Sequence, residues 1–522
     1  MLVRKISAWC LVILAASAGA FAATPILPTV PQDLTTTTTE LGHLAGGLEL
    51  HISPDNSRLA FPTHAGFMSP ADTENYDAKE NPGLAALRIF IDGKPTIASA
   101  EFTTVLFSPD SQHVGYAMKA RNSWQVMEDD RPIVTDAQNI PGLQGRGSPI
   151  VFSPDSQHVA TVVQKNWHWF VSHDGVEWPI AGGINLPYCG LMTFSPDSQH
   201  VLVMGKGGRN SMQIYEDGVL LPPPPEPAPA PQGVRPLDHI FPLYTWAPDS
   251  SCIAYYGAFP EKRWQVFTTE RVPFVSPQYD GILQNSLVFS GDSKQLVYVA
   301  RERGKWHVVV DGNEDATAFD EVAAATITWL AATSEGQPER LVYIGRRGKE
   351  WNLYIDHKVV GDVFDGVVDV SFVVSPDRRH FAFAVARGNQ AVLMRDGKAV
   401  GVYESIGAGT LAFSPDSEHL GYGIRRKMRW HAAVDGQIGT ADFSGMCVCP
   451  VTFSPDSKNV AFQAQLNPGM MRLYVGINAD YQSRFFETFL AGSSITWRDN
   501  KTLVTMAGNK MVAYRVEARI PE

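Results

Sequence analysis

The pentapeptide Phe-Ser-Pro-Asp-Ser occurs five times without change, at residues 107–111, 152–156, 194–198, 413–417 and 453–457 of this 522-residue chain. A catalytic group is normally needed once, whereas a segment that recurs at regular intervals is typical of architecture. Serine, proline and aspartate suit successive positions of a type I turn, because proline fixes φ and aspartate accepts hydrogen bonds from nearby amides. The pentapeptide therefore predicts a structural turn after a bulky core residue, and not a catalytic aspartate.

Related segments extend this pattern to eleven copies, the first of which begins at Ile52. The prolines of the turn recur every 39 to 55 residues, apart from one gap of 128 residues between Pro248 and Pro376. Degenerate copies at Phe289 and Trp329 fill that gap, and a last copy begins at Trp497. A period of about 40 to 45 residues is typical of propeller blades.

The copy from Ser286 to Ile327 shows the internal pattern most clearly. It contains a short apolar segment, a turn, and the β-branched and aromatic run Gln295–Ala300. A polar turn, a third apolar run and the hairpin signal Asp311-Gly312 follow. Four short antiparallel strands in about 42 residues make one propeller blade. The sequence thus predicts an all-β fold, a β-propeller of about eleven four-stranded blades.

Three features together resemble the WD-repeat-like β-propellers of the TolB type. They are the Phe-Ser-Pro-Asp-Ser turn, the strands HVGYA (residues 113–117) and LVYVA (296–300), and the Asp-Gly hairpin. The resemblance covers about residues 45–516 and implies the propeller fold. It implies no particular activity, because unrelated functions use propellers. TolB-type proteins also carry an α/β domain before the propeller, for which this chain leaves little room, so a role in the Tol system is not implied.

Two arrangements of the eleven copies remain open. The chain could form two tandem propellers, with copies 1–4 in residues 45–240 and copies 5–11 in residues 241–522, or one large ring. The proline-rich segment 222–231 is either a linker between two rings or an insertion in the fourth copy. In the N-terminal segment 23–44, the threonine run Thr35–Thr39 is either a ring-closing fourth strand for the last copy or a solvated linker.

The first 22 residues have the pattern of a secretory signal peptide. Arg4 and Lys5 precede the apolar run Leu11–Ala16, and Ala20-Phe-Ala22 fits a cleavage site. The run is too short for a membrane span, so we expect a periplasmic or secreted protein without a membrane anchor.

The formal net charge of −11 would become −13 on loss of the two basic residues, which argues against nucleic acid as a partner. Four cysteines would remain, as disulfides or as small buried residues: Cys189, Cys252, Cys447 and Cys449.

The turns between the second and third strands carry the candidate binding residues. Basic residues there lead directly into tryptophan, a combination that suits anionic or sugar-like ligands. The candidate ligand-binding residues are Arg303, Lys305, Trp306, Arg346, Arg347, Lys349, Trp351, Arg425, Arg426, Arg429 and Trp430. Acids in the neighbouring loops, such as Asp280, Asp320 and Glu404, could instead pair with these bases, and the tryptophans could simply pack between blades.

We predict no metal site, cofactor or catalytic residue from the sequence. The motif histidines His113, His158, His200, His380 and His419 recur on successive blades, where equivalent side chains diverge instead of meeting at one ion. No nucleophile elbow, zinc-protease or phosphate-loop motif is present.

Two function classes follow. The first is an exported, non-catalytic scaffold that binds a protein or an envelope or extracellular glycan. The alternative is a propeller lyase or hydrolase acting on an anionic polysaccharide. A long loop after Phe61, about residues 62–86, is a candidate lid or partner contact, or a variable surface loop.

Overall fold

Eleven β-sheets follow one another along the chain in a computed structural model of the protein. The structure describes residues 31–43, 50–64, 87–96, 99, 101–102, 105–120, 122–140, 150–180, 192–206, 212–221, 239–258, 263–269, 274–368, 370–446, 450–467, 469–509 and 512–521. Each sheet corresponds to one copy of the repeat, and we number them as blades 1 to 11. The degenerate copies at Trp329 and Trp497 are complete sheets, as the repeat pattern predicts.

The strands of each blade run antiparallel in chain order from the innermost to the outermost. Blades 1 to 4 consist of the strands His51–Ile52, Leu59–His64, Leu87–Ile91 and Lys94–Pro95; Leu106–Phe107, Val114–Ala120, Ser123–Glu128 and Arg131–Ala137; Ile150–Phe152, Val159–Lys165, His168–His173 and Val176–Ile180; and Met192–Phe194, Val201–Lys206, Met212–Glu216 and Val219–Leu220. First strands of neighbouring blades contact one another, which places them on the inside of the ring.

From blade 6 onward the first strand is split into two short pieces that both pair with the second strand. Blades 5 to 8 consist of His239–Trp246, Ile253–Ala258 and Trp264–Thr268; Gly281–Ile282, Val288–Phe289, Leu296–Glu302, Lys305–Val310 and Asn313–Glu314; Glu321–Val322, Thr328–Leu330, Arg340–Arg347, Glu350–Ile355 and Lys358–Phe364; and Gly366–Val367, Val373–Val374, Phe381–Arg387, Gln390–Arg395 and Lys398–Tyr403. A 3-10 helix, Ala324–Thr326, lies between the two pieces in blade 7.

The last three blades keep this pattern, and the N-terminal segment adds to two of them. Blades 9 to 11 consist of Ser405–Ile406, Ala412–Phe413, Leu420–Arg426, Arg429–Val434 and Gln437–Ile438; Gly445–Met446, Thr452–Phe453, Val460–Asn467, Met470–Val475, Tyr481–Gln482 and Gln32–Asp33; and Thr488–Phe489, Thr496–Trp497, Thr502–Asn509, Val512–Arg519 and Thr35–His43. The strand Gln32–Asp33 pairs parallel to Tyr481–Gln482 at the outer edge of blade 10.

The blades form one closed ring and not two. A separate apolar cluster fills each of the eleven interfaces between neighbouring blades. Between blades 4 and 5, where a break between two rings was possible, Leu202 and Met204 pack against Ile253 and Phe267. Blade 11 packs against blade 1 through Met506 and Phe61. The eleven copies therefore share one axis, which is the large-ring alternative.

The Phe-Ser-Pro-Asp-Ser segment forms the predicted turn and also takes part in contacts between neighbouring blades. In blade 2 the amide of Ser111 donates to the carbonyl of Ser108, and the Asp110 carboxylate accepts the Gln112 amide at 2.9 Å. The Asp110 amide then donates to Oγ of Ser156 in blade 3 at 3.0 Å. The last serine of the segment is thus an acceptor for the preceding blade, a role that repeats at Ser111, Ser156, Ser198, Ser250, Ser293, Ser417 and Ser457.

The N-terminal threonine run closes the ring. Residues 35–43 pair antiparallel with residues 512–519, so the first described segment supplies the fourth strand of the last blade. Near the inner end of the same interface, Asn56 of blade 1 donates to Oγ1 of Thr496 in blade 11 at 2.7 Å. Outer-strand pairing and inner-turn hydrogen bonds therefore join the two ends of the ring, and the strand Val512–Arg519 is covered by residues 35–43.

Several sequence predictions fall outside the described residues. These are the signal peptide (1–22), most of the loop after Phe61, the proline-rich segment 222–231, and Cys189, Cys447 and Cys449. Cys252 is buried, with 3% of its surface exposed, beside Ala254 and Leu296. Within the described part of the chain, no helix has the length and apolar character needed to cross a membrane.

Candidate functional site

The turns of the propeller emerge on two faces with different chemistry. Because the strands are antiparallel, the Ser-Pro-Asp-Ser and Asp-Gly turns share one face, which we call the turn-motif face. The turns between second and third strands share the other face with the loops that lead from one blade to the next. We call this second surface the cation face, since Arg303, Lys349 and Arg426 lie in its turns.

The structure brings the predicted basic residues of blades 6, 7 and 9 onto the cation face. Some of them make ion pairs: Lys305 with Asp320, Arg346 with Glu321 at 3.0 Å, and Arg429 with Asp442 at 3.0 Å. The half-buried Arg425 lies 3.1 Å from the sulfur of Met428. The remaining predicted cations are exposed, and the ion pairs found among the described residues involve none of them: Arg303, Arg347, Lys349 and Arg426.

The acids of the cation face fix its turns in place. The carboxylate of Asp280, in the loop that leaves blade 5, accepts the amide of Arg303 in blade 6 at 2.9 Å. Asp320, Asp365 and Glu404 repeat this contact toward the turns of blades 7, 8 and 9, at 2.6 to 2.7 Å. Lys305 and the Gly348 amide lower the pKa of Asp320, and two amides lower that of Glu404, which keeps both carboxylates ionised. These acids bind the backbone of the turns, and the ion pairs found among the described residues do not join them to Arg303, Arg347, Lys349 or Arg426.

The predicted tryptophans serve mainly as packing residues. Trp306, Trp351 and Trp430 are half-buried and contact the apolar clusters between blades. The guanidinium of Arg346 lies 5.7 Å from the ring centre of Trp351, and that of Arg301 lies 5.6 Å from the ring of Trp306. These distances allow cation–π contact between Arg346 and Trp351 and between Arg301 and Trp306, so these two rings already have a partner within the protein.

The motif histidines on the turn-motif face pair with the first aspartate of the turn between the third and fourth strands of their own blade. Nδ1 of His200 lies 2.7 Å from Oδ2 of Asp217, and Oδ1 of the same carboxylate accepts the amide of Val201 at 2.8 Å. Blades 2, 3, 8 and 9 repeat both contacts. The repeated histidines thus have the structural role that the sequence indicated, since each binds within its own blade.

The His200–Asp217 contact predicts a small pH dependence of stability. The hydrogen bond to Asp217 raises the pKa of His200, so its contribution is present below pH 6.5 and is lost as pH rises through the raised pKa. Both side chains are more than a third exposed, so screening keeps the effect below about 1 kcal/mol. We expect His200→Asn to lower the melting temperature more at pH 5.5 than at pH 8.5. Asparagine is native at the equivalent position 459 of blade 10. Equal decreases in melting temperature at pH 5.5 and pH 8.5 would contradict this prediction.

One cluster on the turn-motif face was missed by the sequence reasoning. In blade 3 a second histidine, His173, precedes the Asp-Gly turn, and its Nε2 lies 3.5 Å from Oδ2 of Asp174. That oxygen also lies 2.7 Å from Nδ1 of His158. The available signal was the residue type directly before the Asp-Gly turn, which is valine in blades 6 and 9 and glutamate in blade 4.

Comparisons with known proteins support no family assignment, since neither a protein-family profile nor a curated protein matches the chain. Solved structures do match. A eukaryotic initiation factor is 12% identical, with 72% of this chain and 96% of that chain covered and a TM-score of 0.37. The Dos1 propeller is 9% identical over 62% and 91% of the two chains, with a TM-score of 0.31. TolB from Acinetobacter baumannii, the type of propeller that the sequence resembles, is 16% identical over 45% and 60%, with a TM-score of 0.23.

Proposed function

We propose that this protein is an exported, non-catalytic binding scaffold whose cation face binds an acidic glycan of the cell envelope or extracellular space. The observation that carries the proposal is the set of exposed cations Arg303, Arg347, Lys349 and Arg426, held at equivalent turns of blades 6, 7 and 9 of one ring. Export is the part of the proposal that rests on the sequence of residues 1–22 alone.

Charge and rigidity both favour an extended anionic ligand. The cations occur at equivalent turns of blades 6, 7 and 9, so they form a row along the ring and not a pocket. The backbone amides of their turns donate charge-assisted hydrogen bonds to Asp280, Asp320 and Glu404, which holds the turns in place and reduces the entropy lost on binding. A polymer with repeated carboxylates or sulfates could contact several turns at once, and the weak individual contacts would then add.

Charge reversal on blade 7 tests the proposal. We expect the double variant Arg347→Glu/Lys349→Glu to weaken binding to an immobilised acidic polysaccharide, such as heparin or polygalacturonate, by at least about tenfold, or about 1.4 kcal/mol. Wild-type binding should also weaken between 50 and 300 mM salt, because the contacts are exposed ion pairs. Surface plasmon resonance measures both effects.

The control variant is Lys358→Glu/Lys398→Glu, which makes the same change in net charge. Both lysines are exposed and directly follow Asp-containing turns of the turn-motif face. Equal losses in the two double variants would show a non-specific charge effect and would contradict the proposal, as would unchanged binding in the blade 7 variant. If the immobilised protein bound an acidic protein and no polysaccharide, the partner of the cation face would be a protein and not a glycan. Release of shortened polysaccharide chains would favour the lyase or hydrolase alternative.

A further inference from the structure

We infer that His158, His173 and Asp174 of blade 3 form a binding site for a divalent transition-metal ion, with Zn²⁺ as the best fit. The three residues offer one ligand atom each, and these atoms all lie within 4.8 Å of one another. Among the described residues, this is the one group of three or more such side chains that meets this distance. Two imidazole nitrogens and one carboxylate oxygen are ligands that zinc prefers, whereas Ca²⁺ and Mg²⁺ prefer oxygen alone.

The backbone of blade 3 brings these side chains together. His158 directly precedes the second strand, His173 ends the third strand, and Asp174 begins the turn that follows it. The register pairs Ala160 with His173, so both histidines lie at the same end of one hairpin. The His158 and His173 rings are 5.5 Å apart and nearly perpendicular, at 73°, which allows both to present a nitrogen to one point.

The carboxylate of Asp174 is already oriented for this role. Its Oδ1 accepts the amide of Val159 at 2.9 Å, which leaves Oδ2 directed at both histidines, 2.7 Å from Nδ1 of His158 and 3.5 Å from Nε2 of His173. Hydrogen bonds of this kind, which hold a metal-ligating side chain in its orientation, raise metal affinity. The other four blades with a motif histidine have the same oriented carboxylate but lack the second imidazole.

Nε2 of His173 supplies an independent reason to expect a ligand. This nitrogen is buried and has no hydrogen-bond partner, since its 3.5 Å approach to Asp174 lacks hydrogen-bond geometry. The ring is held in place by Trp178 and Phe194, each with its ring centre 5.5 Å away. A buried polar atom without a partner is rare in a folded protein, and coordination to a metal ion would satisfy it.

The site would leave one coordination position open to solvent. The side chains of His158 and Asp174 are 35% and 42% exposed, whereas that of His173 is 18% exposed. Three protein ligands and one open position would let the ion bind water or an anionic group of a further ligand. The site lies on the turn-motif face, at the opposite end of the strands from the cation face, so it stands independently of the proposed glycan binding.

The test is titration of the metal-free, untagged protein with ZnCl₂ by calorimetry and with CoCl₂ by visible absorption. We expect one equivalent to bind and the melting temperature to rise with Zn²⁺ concentration. The variant His173→Val, with the residue native to blades 6 and 9, should weaken binding by at least about 100-fold, since loss of a merely orienting partner costs about 10- to 100-fold.

The matched control is His380→Asn, which changes the equivalent histidine in blade 8, where Arg395 and not a second histidine precedes the Asp-Gly turn. This variant should bind Zn²⁺ as the wild type does. The melting temperature without metal shows whether each variant is folded, and His173→Val should match the wild type. Absence of Zn²⁺ binding to the wild type at 100 μM metal would overturn the proposal, and so would equal affinities of the wild type and a folded His173→Val variant.

Discussion

Replacing Leu41 by aspartate is expected to open the ring between blades 11 and 1 and to lower the free energy of unfolding by about 4 kcal/mol or more. Leu41 is 2% exposed and contacts the cluster that contains Phe61 and Met506. Loss of a buried leucine side chain alone costs about 2–5 kcal/mol, and burial of an unpaired carboxylate adds several more. The substituted strand would therefore leave the interface, because exposure of the edge of blade 11 costs less than burial of the charge.

Hydrogen exchange distinguishes ring opening from a general loss of stability. The amides of Val512–Arg519 that bond to residues 35–43 should lose protection first, while those in blade 7 keep theirs at low denaturant. Thr37→Asp is the matched control, since it adds the same charge to the same strand at an exposed position. The control should unfold at nearly the wild-type denaturant concentration. Equal unfolding midpoints for Leu41→Asp and Thr37→Asp would contradict a closing role for this strand.

The blades could be predicted from the sequence because their signals are local. The Ser-Pro-Asp-Ser turn, the β-branched second strand and the Asp-Gly hairpin each act over a few residues, and all are confirmed in the structure. The number of rings could not be predicted in the same way. It depends on the angle at each of the eleven interfaces, which many side chains set together. The contact between Asn56 and Thr496, two residues 440 positions apart, is an example.

The candidate sites show the same division between local and distant information. The basic turns of the cation face could be predicted directly from the sequence. Of the acids suspected as their partners, Asp320 forms an ion pair with Lys305, whereas Glu404 accepts backbone amides. The hydrogen bond that the Arg303 amide donates to Asp280 was not predicted, because it joins two blades and therefore depends on how they pack. The sequence gives no indication of His173 as a ligand, because its spacing from the other histidines matches no metal motif. Its proximity to His158 arises from strand pairing, which spacing along the chain does not encode.

The degenerate copy at Trp329 shows how a blade interface is maintained without the serine contact. In blade 6 glycine replaces the proline of the turn, and the Gly291 amide donates to Oε2 of Glu339 in blade 7 at 2.7 Å. The same carboxylate lies 3.1 Å from Nη2 of Arg378 in blade 8, which also donates to the carbonyl of Trp329 at 2.9 Å. One glutamate thus joins three blades, where a serine elsewhere joins two.

We expect Glu339→Ala to lower the free energy of unfolding by about 2 kcal/mol, because the Gly291 amide loses its acceptor and the Arg378 guanidinium keeps only the carbonyl of Trp329. Glu339 is 15% exposed but Arg378 is 41% exposed, so water can partly replace the lost contact and the effect stays below that of a fully buried pair. Urea denaturation measures the loss, and Glu335→Ala, an exposed acid in the same loop, is the control. In a double-mutant cycle, Arg378→Ala should cost much less in the Glu339→Ala background than in the wild type. Additive losses would show that the two residues act separately, and the interface of the degenerate blade would then depend on its apolar cluster alone.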